Sequence, residues 1–591
     1  MKKFYFWGLL LFVSITKLAS QVFFQNVAAP KGIQHSFGVA VPGGGVSFCD
    51  FNQDGWDDLT LGTIEGENIH FYMNRQGIFL KIPPLVPHTG NSEQILWVDY
   101  DNDGDKDLFV ATFGGVNRLY QNLGDLQLMD VTETAGLPLE SFDTYGACFG
   151  DFDRDGWLDL YLGRRTGTPS QNTHLLFRNN ADGTFTEMAV AAGASDPQKI
   201  PFCSAFFDYN NDDWPDIYTA NDRFTGNTLL KNNGDGTFSD VGNDAGADLK
   251  MNAMTVTIGD YNNDGWLDIY STNTEVGNRL LRNNGDGTFT EVADYAGVVF
   301  GSIGWGAQFF DADNDGWEDL YVSGMVPRST VNSSAFYYNQ QDGTFSQPDA
   351  GFVGDTVSSF NNAFGDFNRD GRLDLMVVNT TPFQSQLWEN GSITENNWVK
   401  LILRGVLSNR DGIGSRVELY TKDLRQTRFT ACGMGFLGQN SETIQFGVGT
   451  TDFIDSIIIR WPTGHEDKLY DIAVGQYLHI VEGSTTNGQI NVDPGLNLTT
   501  ASQEIKPHIE NISIFPNPVS NRLFFNVNTP QNSDLQVTIS DITGRLVFSS
   551  QIVSFAHAIE ISTNNLTAGI YLLQVNEING NKSYIGKFLK K

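Results

Sequence analysis

Asp151-Phe152-Asp153-Arg154-Asp155-Gly156-Trp157-Leu158-Asp159-Leu160-Tyr161-Leu162 is one of seven copies of a single pattern, Asp-x-Asp/Asn-x-Asp-Gly-x-x-Asp followed by an apolar run. The copies start at Asp50, Asp99, Asp151, Asp208, Asp260, Asp311 and Asp366, at intervals of 49, 52, 57, 52, 51 and 55 residues. A period near ~50 residues holds four short strands and their turns, which is one β-propeller blade. A second motif trails the copies: Asn-Asn-Gly-Asp-Gly-Thr-Phe at 232–238 and 283–289, with looser forms at 179–185 and 340–345. Asp-Gly between apolar runs marks a hairpin, because Gly takes positive φ cheaply. Each period therefore reads strand, acidic loop, strand, strand, Asp-Gly turn, strand.

The ends of the array match as well. Phe24-Gln25-Asn26-Val27 followed by Gly32-Ile33 echoes the blade-ending Phe289-Thr290-Glu291-Val292 followed by Gly297-Val298, while the last copy stops at Leu387-Trp388-Glu389-Asn390-Gly391 without a final strand. The N-terminal segment is expected to supply that strand and close the ring, covering edges that otherwise invite aggregation.

The loops carry oxygen ligands at positions 1, 3, 5 and 9: Asp50, Asn52, Asp54 and Asp58; Asp99, Asp101, Asp103 and Asp107; Asp151, Asp153, Asp155 and Asp159; Asp208, Asn210, Asp212 and Asp216; Asp260, Asn262, Asp264 and Asp268; Asp311, Asp313, Asp315 and Asp319; Asp366, Asn368, Asp370 and Asp374. Ca²⁺ takes 6–8 hard oxygens from a flexible loop. Alternation brings positions 1, 3 and 5 inward, Gly at position 6 turns the chain, and the position 7 carbonyl adds an oxygen. An EF-hand needs a bidentate Glu at position 12. That position is Leu61, Val110, Leu162, Thr219, Ser271, Val322 or Val377, so the loop closes with Asp at position 9, where the next strand begins. For one copy alone a metal-free Asx turn competes with this reading. For seven it does not, because clustered carboxylates repel unless a cation is present. One Ca²⁺ per blade is expected. In the fourth copy Asp213 replaces Gly, a residue that still tolerates positive φ. Trp56, Trp157, Trp214, Trp266 and Trp317 share position 7. Recurrence at one motif position points to packing between blades rather than a sugar platform.

The 591 residues exceed one core, so two or three folded units are expected. Asp and Glu number 70 against 37 Lys and Arg, a net charge of −33 that disfavours nucleic acid and anionic membrane. Seven Ca²⁺ would offset roughly 14 of those charges. Cys49, Cys148 and Cys203 precede acidic loops by one, three and five residues, on one strand face, as small core residues do. Residues 1–20 read as a signal peptide: Lys2 and Lys3, an apolar stretch from Phe4 to Ile15, and Leu18-Ala19-Ser20 before Gln21. The stretch falls short of the ~20 apolar residues that span a bilayer, and no membrane span is expected in the mature chain.

The repeats resemble FG-GAP/VCBS repeats of integrin-α-type propellers, over about residues 21–391, and that resemblance implies calcium in the loops. Residues 397–483 resemble the ASPIC/UnbV domain through Asn409-Arg410-Asp411-Gly412-Ile413-Gly414-Ser415-Arg416-Val417, Gly433-Met434-Gly435-Phe436-Leu437-Gly438-Gln439, Phe446-Gly447-Val448-Gly449 and Trp461-Pro462-Thr463-Gly464. Read alone, this segment alternates as a small β domain. The combination resembles the cartilage acidic protein family, which implies an extracellular interaction role. Residues 484–508 are polar and linker-like. Residues 509–591 resemble the type IX secretion sorting domain, through Ile514-Phe515-Pro516-Asn517-Pro518, Ile542-Thr543-Gly544-Arg545 and Leu566-Thr567-Ala568-Gly569-Ile570-Tyr571. Their own pattern is a small β-sandwich. The resemblance implies handling by the secretion machinery and a secreted or outer-membrane surface location in a Bacteroidetes-type bacterium.

The expected fold is all-β: a seven-bladed calcium-binding β-propeller, a small β domain and a C-terminal β-sandwich. No His-Glu-x-x-His, Gly-x-Ser-x-Gly, Cys-x-x-Cys or phosphate-binding Gly-Lys-Ser/Thr occurs. The expected function is non-catalytic: adhesion, or binding of an extracellular glycan or protein, with the loops stiffening the presenting face. The alternative is a calcium-dependent polysaccharide lyase or hydrolase, which requires a polar pocket on the ring axis.

Overall fold

The computed structural model describes residues 21–38, 43–166, 171–325, 334–352, 355, 357–485, 508–511, 514–515, 519, 521–525, 535–541, 546–552, 559–564, 566–577 and 582–591. The proposed signal peptide, nearly all of the linker, and the Pro516-Asn517-Pro518 and Ile542-Thr543-Gly544-Arg545 motifs lie outside them. The chain divides into Met1–Leu498 and Thr499–Lys591.

Seven sheets of the first unit share one plan of four antiparallel strands, which follow chain order in the first six. The second, for instance, is Asn91–Val98, Asp107–Phe113, Arg118–Asn122 and Leu128–Asp130. In every sheet the second strand begins at the ninth loop residue, from Asp58–Leu61 to Asp374–Asn379. The seventh sheet takes its fourth strand from the chain's beginning: Phe24–Asn26 pairs antiparallel with Gln386–Asn390, Phe24 opposite Asn390. Aromatic and aliphatic residues of these strands and loops fill the spaces between sheets. Phe51, Trp97 and Leu108 join sheets one and two; Phe24, Phe310 and Leu375 join six and seven; Phe48, Ala363 and Phe367 join seven and one. The sheets thus close on themselves, and no open sheet edge is left between the last repeat and the first. Cys49, Cys148, Cys203 and Cys432 are free and buried.

Residues from Asn397 to Val481 form two further sheets around Val399, Leu419, Phe446, Ile457 and Trp461. From this part the segment 432–441 runs through the middle of the ring and meets the innermost strand of all seven sheets. Gly438–Gln439 pairs parallel with Val46–Ser47, and Cys432 bridges Phe149. The Gln94 amide donates to the carbonyls of Gly433 and Gly438, and Gly435 N–H donates to Val256. Phe436 packs on Phe202 and Trp305, and Asn440 accepts from Phe364 N–H. Gly433 sits at φ +92° with Ala147 oxygen 2.3 Å from where a Cβ would be, so only Gly fits there.

Gln439 makes the segment specific. Its Oε1 accepts from Ser47 Oγ (2.6 Å) and Trp97 N–H (2.9 Å), and its Nε2 donates to Trp97 oxygen (2.7 Å). Gln439→Leu strands these buried groups at about 1–3 kcal/mol each. The expected result is a matching loss of unfolding free energy in urea; an unchanged midpoint would show that water replaces the amide.

The second unit holds a five-stranded and a three-stranded sheet. Its core includes Leu523, Val537, Leu573 and Phe588. Among the described residues no helix is long and apolar enough to cross a membrane.

Candidate functional site: seven acidic loops

Each loop is built around its first carboxylate, which accepts the backbone N–H groups of positions 5 and 6. In the third loop Asp151 takes Asp155 N–H at 3.0 Å and Gly156 N–H at 2.9 Å; in the first, Asp50 takes Asp54 at 2.9 Å and Gly55 at 2.7 Å. The pattern repeats at Asp99, Asp208, Asp260, Asp311 and Asp366. Position 6 is left-handed throughout, and Asp213 adopts φ +68° while still donating to Asp208. The fourth loop therefore keeps its shape without glycine.

Position 9 sits where the second strand starts and is buried in all seven copies. Its Oδ1 accepts from the Asn ending the third strand, as Asp159 does from Asn179 at 2.8 Å. In five copies its Oδ2 accepts from position 2, as from Phe152 at 3.0 Å. Burial pushes Asp58 and Asp107 up to about 9, and Asp50, Asp151 and Asp260 up to about 7. Buried carboxylates in this state are what a bound cation would return to the charged form. In three loops oxygens of three carboxylates lie within 4.8 Å of one another: Asp99, Asp101 and Asp107; Asp151, Asp153 and Asp159; Asp311, Asp313 and Asp315. These are the copies with Asp at position 3. Where position 3 is Asn52, Asn210, Asn262 or Asn368, no such three-carboxylate group forms among the described residues.

Side chains already occupy parts of some loops. Arg178 bonds Asp153 (2.5 Å) and Asp155 (2.8 Å), and the buried Lys400 ammonium lies 2.5 Å from Asp366.

Two features escape a reading of the motif alone. The first is a relay around the ring from position 4 of each loop to the next. Asn102 donates to Gly156 oxygen (2.9 Å), Asn263 to Gly316 (2.9 Å) and Asn314 to Gly371 (3.1 Å), with Gln53 to Gly104 and Asn211 to Gly265 completing the amide links. Arg154 and Arg369 instead stack on Trp214 and Trp56, each 5.1 Å from the ring centroid. All seven position 4 residues have φ between +54° and +60°. The side-chain signal is the run of Asn and Gln there, since Asn favours that conformation. Trp56 and Trp214 thus serve packing between neighbouring repeats.

The second feature concerns what the loops present. They were expected to stiffen a free binding face, but the part of the chain from Asn397 to Val481 sits on their corners. Asp411 accepts Asp99 N–H (2.9 Å), Arg416 donates to Gly265 oxygen (2.9 Å), Gln445 to Asn314 (2.6 Å), and Tyr477 to Asp366 (3.0 Å). The loops' exposed carbonyls and amides are hydrogen-bonding groups, and this segment satisfies them. It also threads the part of the ring axis nearest the loops. Between the threaded segment and the inner strands remains a cavity of about 120 Å³, lined by Trp97, Lys106, Phe309, Glu318 and Arg428 among others.

Comparison with known proteins matches three family descriptions: FG-GAP-like repeat at 50–110, 99–162, 208–271, 260–322 and 326–377; ASPIC and UnbV at 405–487; and secretion system C-terminal sorting domain at 513–591. Cartilage acidic protein 1 of Xenopus tropicalis is 27% identical over 270 residues, and that of Homo sapiens 26% over 270, each match covering 42% of this chain. The chain spans about 40% of the length of these relatives. Among solved structures, BBS1N in complex with ARL6DN aligns at TM-score 0.40 and 12% identity over 62% of this chain and 97% of that one. The Dos1 propeller aligns at TM-score 0.35 and 10% identity over 73% and 97%.

Proposed function

We propose that this chain is a calcium-dependent, non-catalytic binding protein, a seven-bladed β-propeller that holds one Ca²⁺ in each acidic loop and engages a glycan or protein outside the cell. The sorting domain makes it a secreted or outer-membrane surface protein of a Bacteroidetes-type bacterium, handled by the type IX secretion machinery. The observation that carries the metal reading is the sevenfold loop itself, with a first carboxylate fixed by two N–H groups, buried in five copies, and carboxylate oxygens converging on it in three. Calcium needs this set of hard oxygens in a turn that can adjust. On this reading Asp50, Asn52, Asp54 and Asp58 and their counterparts are the ligands, and the metal holds the loops on which residues 397–481 rest. The proposed parts are a propeller over 21–391, an ASPIC/UnbV-like domain over 397–483, a linker over 484–508 and a sorting domain over 509–591.

A glycan array probed with residues 21–591 in calcium and again in EGTA tests the binding role: specific hits lost in EGTA support it, and a blank array with folded, calcium-loaded protein removes the glycan half. Calorimetric titration with Ca²⁺ tests the metal. The loops at Asp99, Asp151 and Asp311 are expected to be tightest, since affinity follows ligand charge. Asp101→Asn, Asp153→Asn and Asp313→Asn should each remove one site from the tightest class; an unchanged isotherm for all three would refute the assignment.

A further inference from the structure

The residue six places before each loop's first Asp forms a column through the repeats: Gly44, Glu93, Tyr145, Phe202, Met254, Trp305 and Phe360. It stands near the beginning of each innermost strand, the end away from the acidic loops. In four sheets the ladder is irregular at this place. The register shifts between Ser92 and Gln94, Pro201 and Cys203, Gly304 and Ala307, and Ser359 and Asn362. The residues stepped over include Glu93, Phe202, Trp305 and the pair Phe360-Asn361. A bulge re-aims a side chain, and four at one level turn a set of side chains toward one point.

That point is the ring axis beyond the tip of the threaded segment. Tyr145 and Phe202 lie 4.7 Å apart, Phe202 and Trp305 6.2 Å, Trp305 and Phe360 5.3 Å, with Phe436 5.2 Å from Trp305 as the floor. Arg165 lies over both Tyr145 (4.7 Å) and Phe202 (4.9 Å). Phe113, Ile303 and Met325 are half-buried around the same cluster.

Polar atoms here are buried and unanswered: Glu93 Oε2, Trp305 Nε1, Asn361 Oδ1 and Arg165 Nη1. Glu93 is 2% exposed, Trp305 8% and Asn361 0%. Each costs free energy until something bonds to it, which makes a group of them at one place a mark of a ligand. Burial, with Asp143 nearby, pushes the Glu93 carboxyl well above the usual range.

Resting on the binding role proposed above, we infer that this axial layer, on the ring face opposite the acidic loops, is the glycan site, and that it takes a neutral sugar residue. A cationic ligand meets Arg165, and an anionic one meets Asp143, while Glu93 offers an uncharged carboxyl. A pyranose has an apolar face for the aromatic rings and hydroxyls that both donate and accept. It answers the carboxyl and amide oxygens as donor, and the indole and guanidinium N–H groups as acceptor.

The test uses residues 21–591 with Ca²⁺, a neutral and acidic glycan array, and titration with methyl pyranosides, read by calorimetry and tryptophan fluorescence. Trp305→Phe keeps an aromatic ring and removes Nε1; Glu93→Gln keeps the shape and changes the hydrogen-bonding pattern; Val190→Ala, an exposed residue outside the acidic loops, is the control. Each axial variant is expected to weaken neutral-glycan binding about tenfold, the size of one net hydrogen bond, with the calcium stoichiometry unchanged and a cooperative thermal transition showing that the variant is folded. Glycan hits that ignore both axial variants overturn this site and leave the glycan role standing. Binding confined to acidic glycans overturns the neutral class. A blank array with folded, calcium-loaded protein removes the glycan role and this site with it.

Discussion

Stripping calcium from the intact protein at pH 7.5 is expected to lower its thermal midpoint by on the order of 10 °C and to open the acidic loops to protease. A site filled a hundredfold over its Kd adds about 2.7 kcal/mol, so the three loops at Asp99, Asp151 and Asp311, filled with calcium, would together supply about 8 kcal/mol. In a unit of this size each kcal/mol moves the midpoint by about 2 °C or less. The effect is large because the loops are not ornaments on the rim. They start the second strand of every sheet, and the position 4 relay links each to the next, so loosening one strains its neighbours. Equal midpoints and equal cleavage rates in calcium and EGTA would remove calcium as the cation of these loops.

The pH dependence follows with a definite sign. Burial raises Asp50, Asp151 and Asp260 from 3.8 to about 7 in the metal-free loops. Between about pH 4 and 7 the folded chain therefore holds protons that the unfolded chain has released. Metal-free stability is greatest at the acidic end of that window and falls as pH rises through 7. Calcium bound in these loops would displace those protons, so its stabilising increment is expected to grow in the same direction. In EGTA the midpoint should be higher at pH 5 than at pH 8, and the calcium-induced rise larger at pH 8. A metal-free midpoint that climbs from pH 5 to 8 would contradict the burial of these carboxylates.

What the sequence disclosed and what it hid differ for physical reasons. The loops were legible because their chemistry is local: Asp151 and Asp159 are eight residues apart and their bonds close within one turn. Ring closure was legible because Phe24-Gln25-Asn26 repeats a strand pattern found inside the array. The threaded segment was not. Gly433-Met434-Gly435-Phe436-Leu437-Gly438-Gln439 carries no periodicity of its own, and its partners Ser47, Trp97 and Ala147 lie some three to four hundred residues away in the chain. Glu93 is likewise unremarkable along the chain. It becomes singular only in the column six before each loop, where its counterparts are all uncharged, and where a bulge, invisible in sequence, turns it inward.

Replacing Lys106 with Met is expected to cost about 3–5 kcal/mol, the range for breaking a buried ion pair from one side. Lys106 follows the second loop's Asp105 and is buried. Its ammonium reaches Asp411 at 2.6 Å and Glu442 at 2.7 Å, both from the segment that sits on the ring. Burial alone would raise Glu442, but Arg404 and Lys106 outweigh it and hold this carboxyl well below the usual carboxylate range. Glu442 keeps Arg404 at 3.2 Å when Lys106 is lost, whereas Asp411 is left with the Asp99 N–H and no cation among its described partners. The damage should therefore concentrate at Asp411 and spread to the second loop, whose first residue it holds. Lys106→Met is expected to lower the urea midpoint and to weaken calcium at the Asp99 loop, while Lys106→Met combined with Asp411→Asn recovers part of the loss by removing the stranded charge. If the double variant is as unstable as the sum of the single ones, the pair contributes through packing and not through charge. If Lys106→Met leaves both readouts unchanged, the ring and the part that threads it are held by their other contacts, without this ion pair.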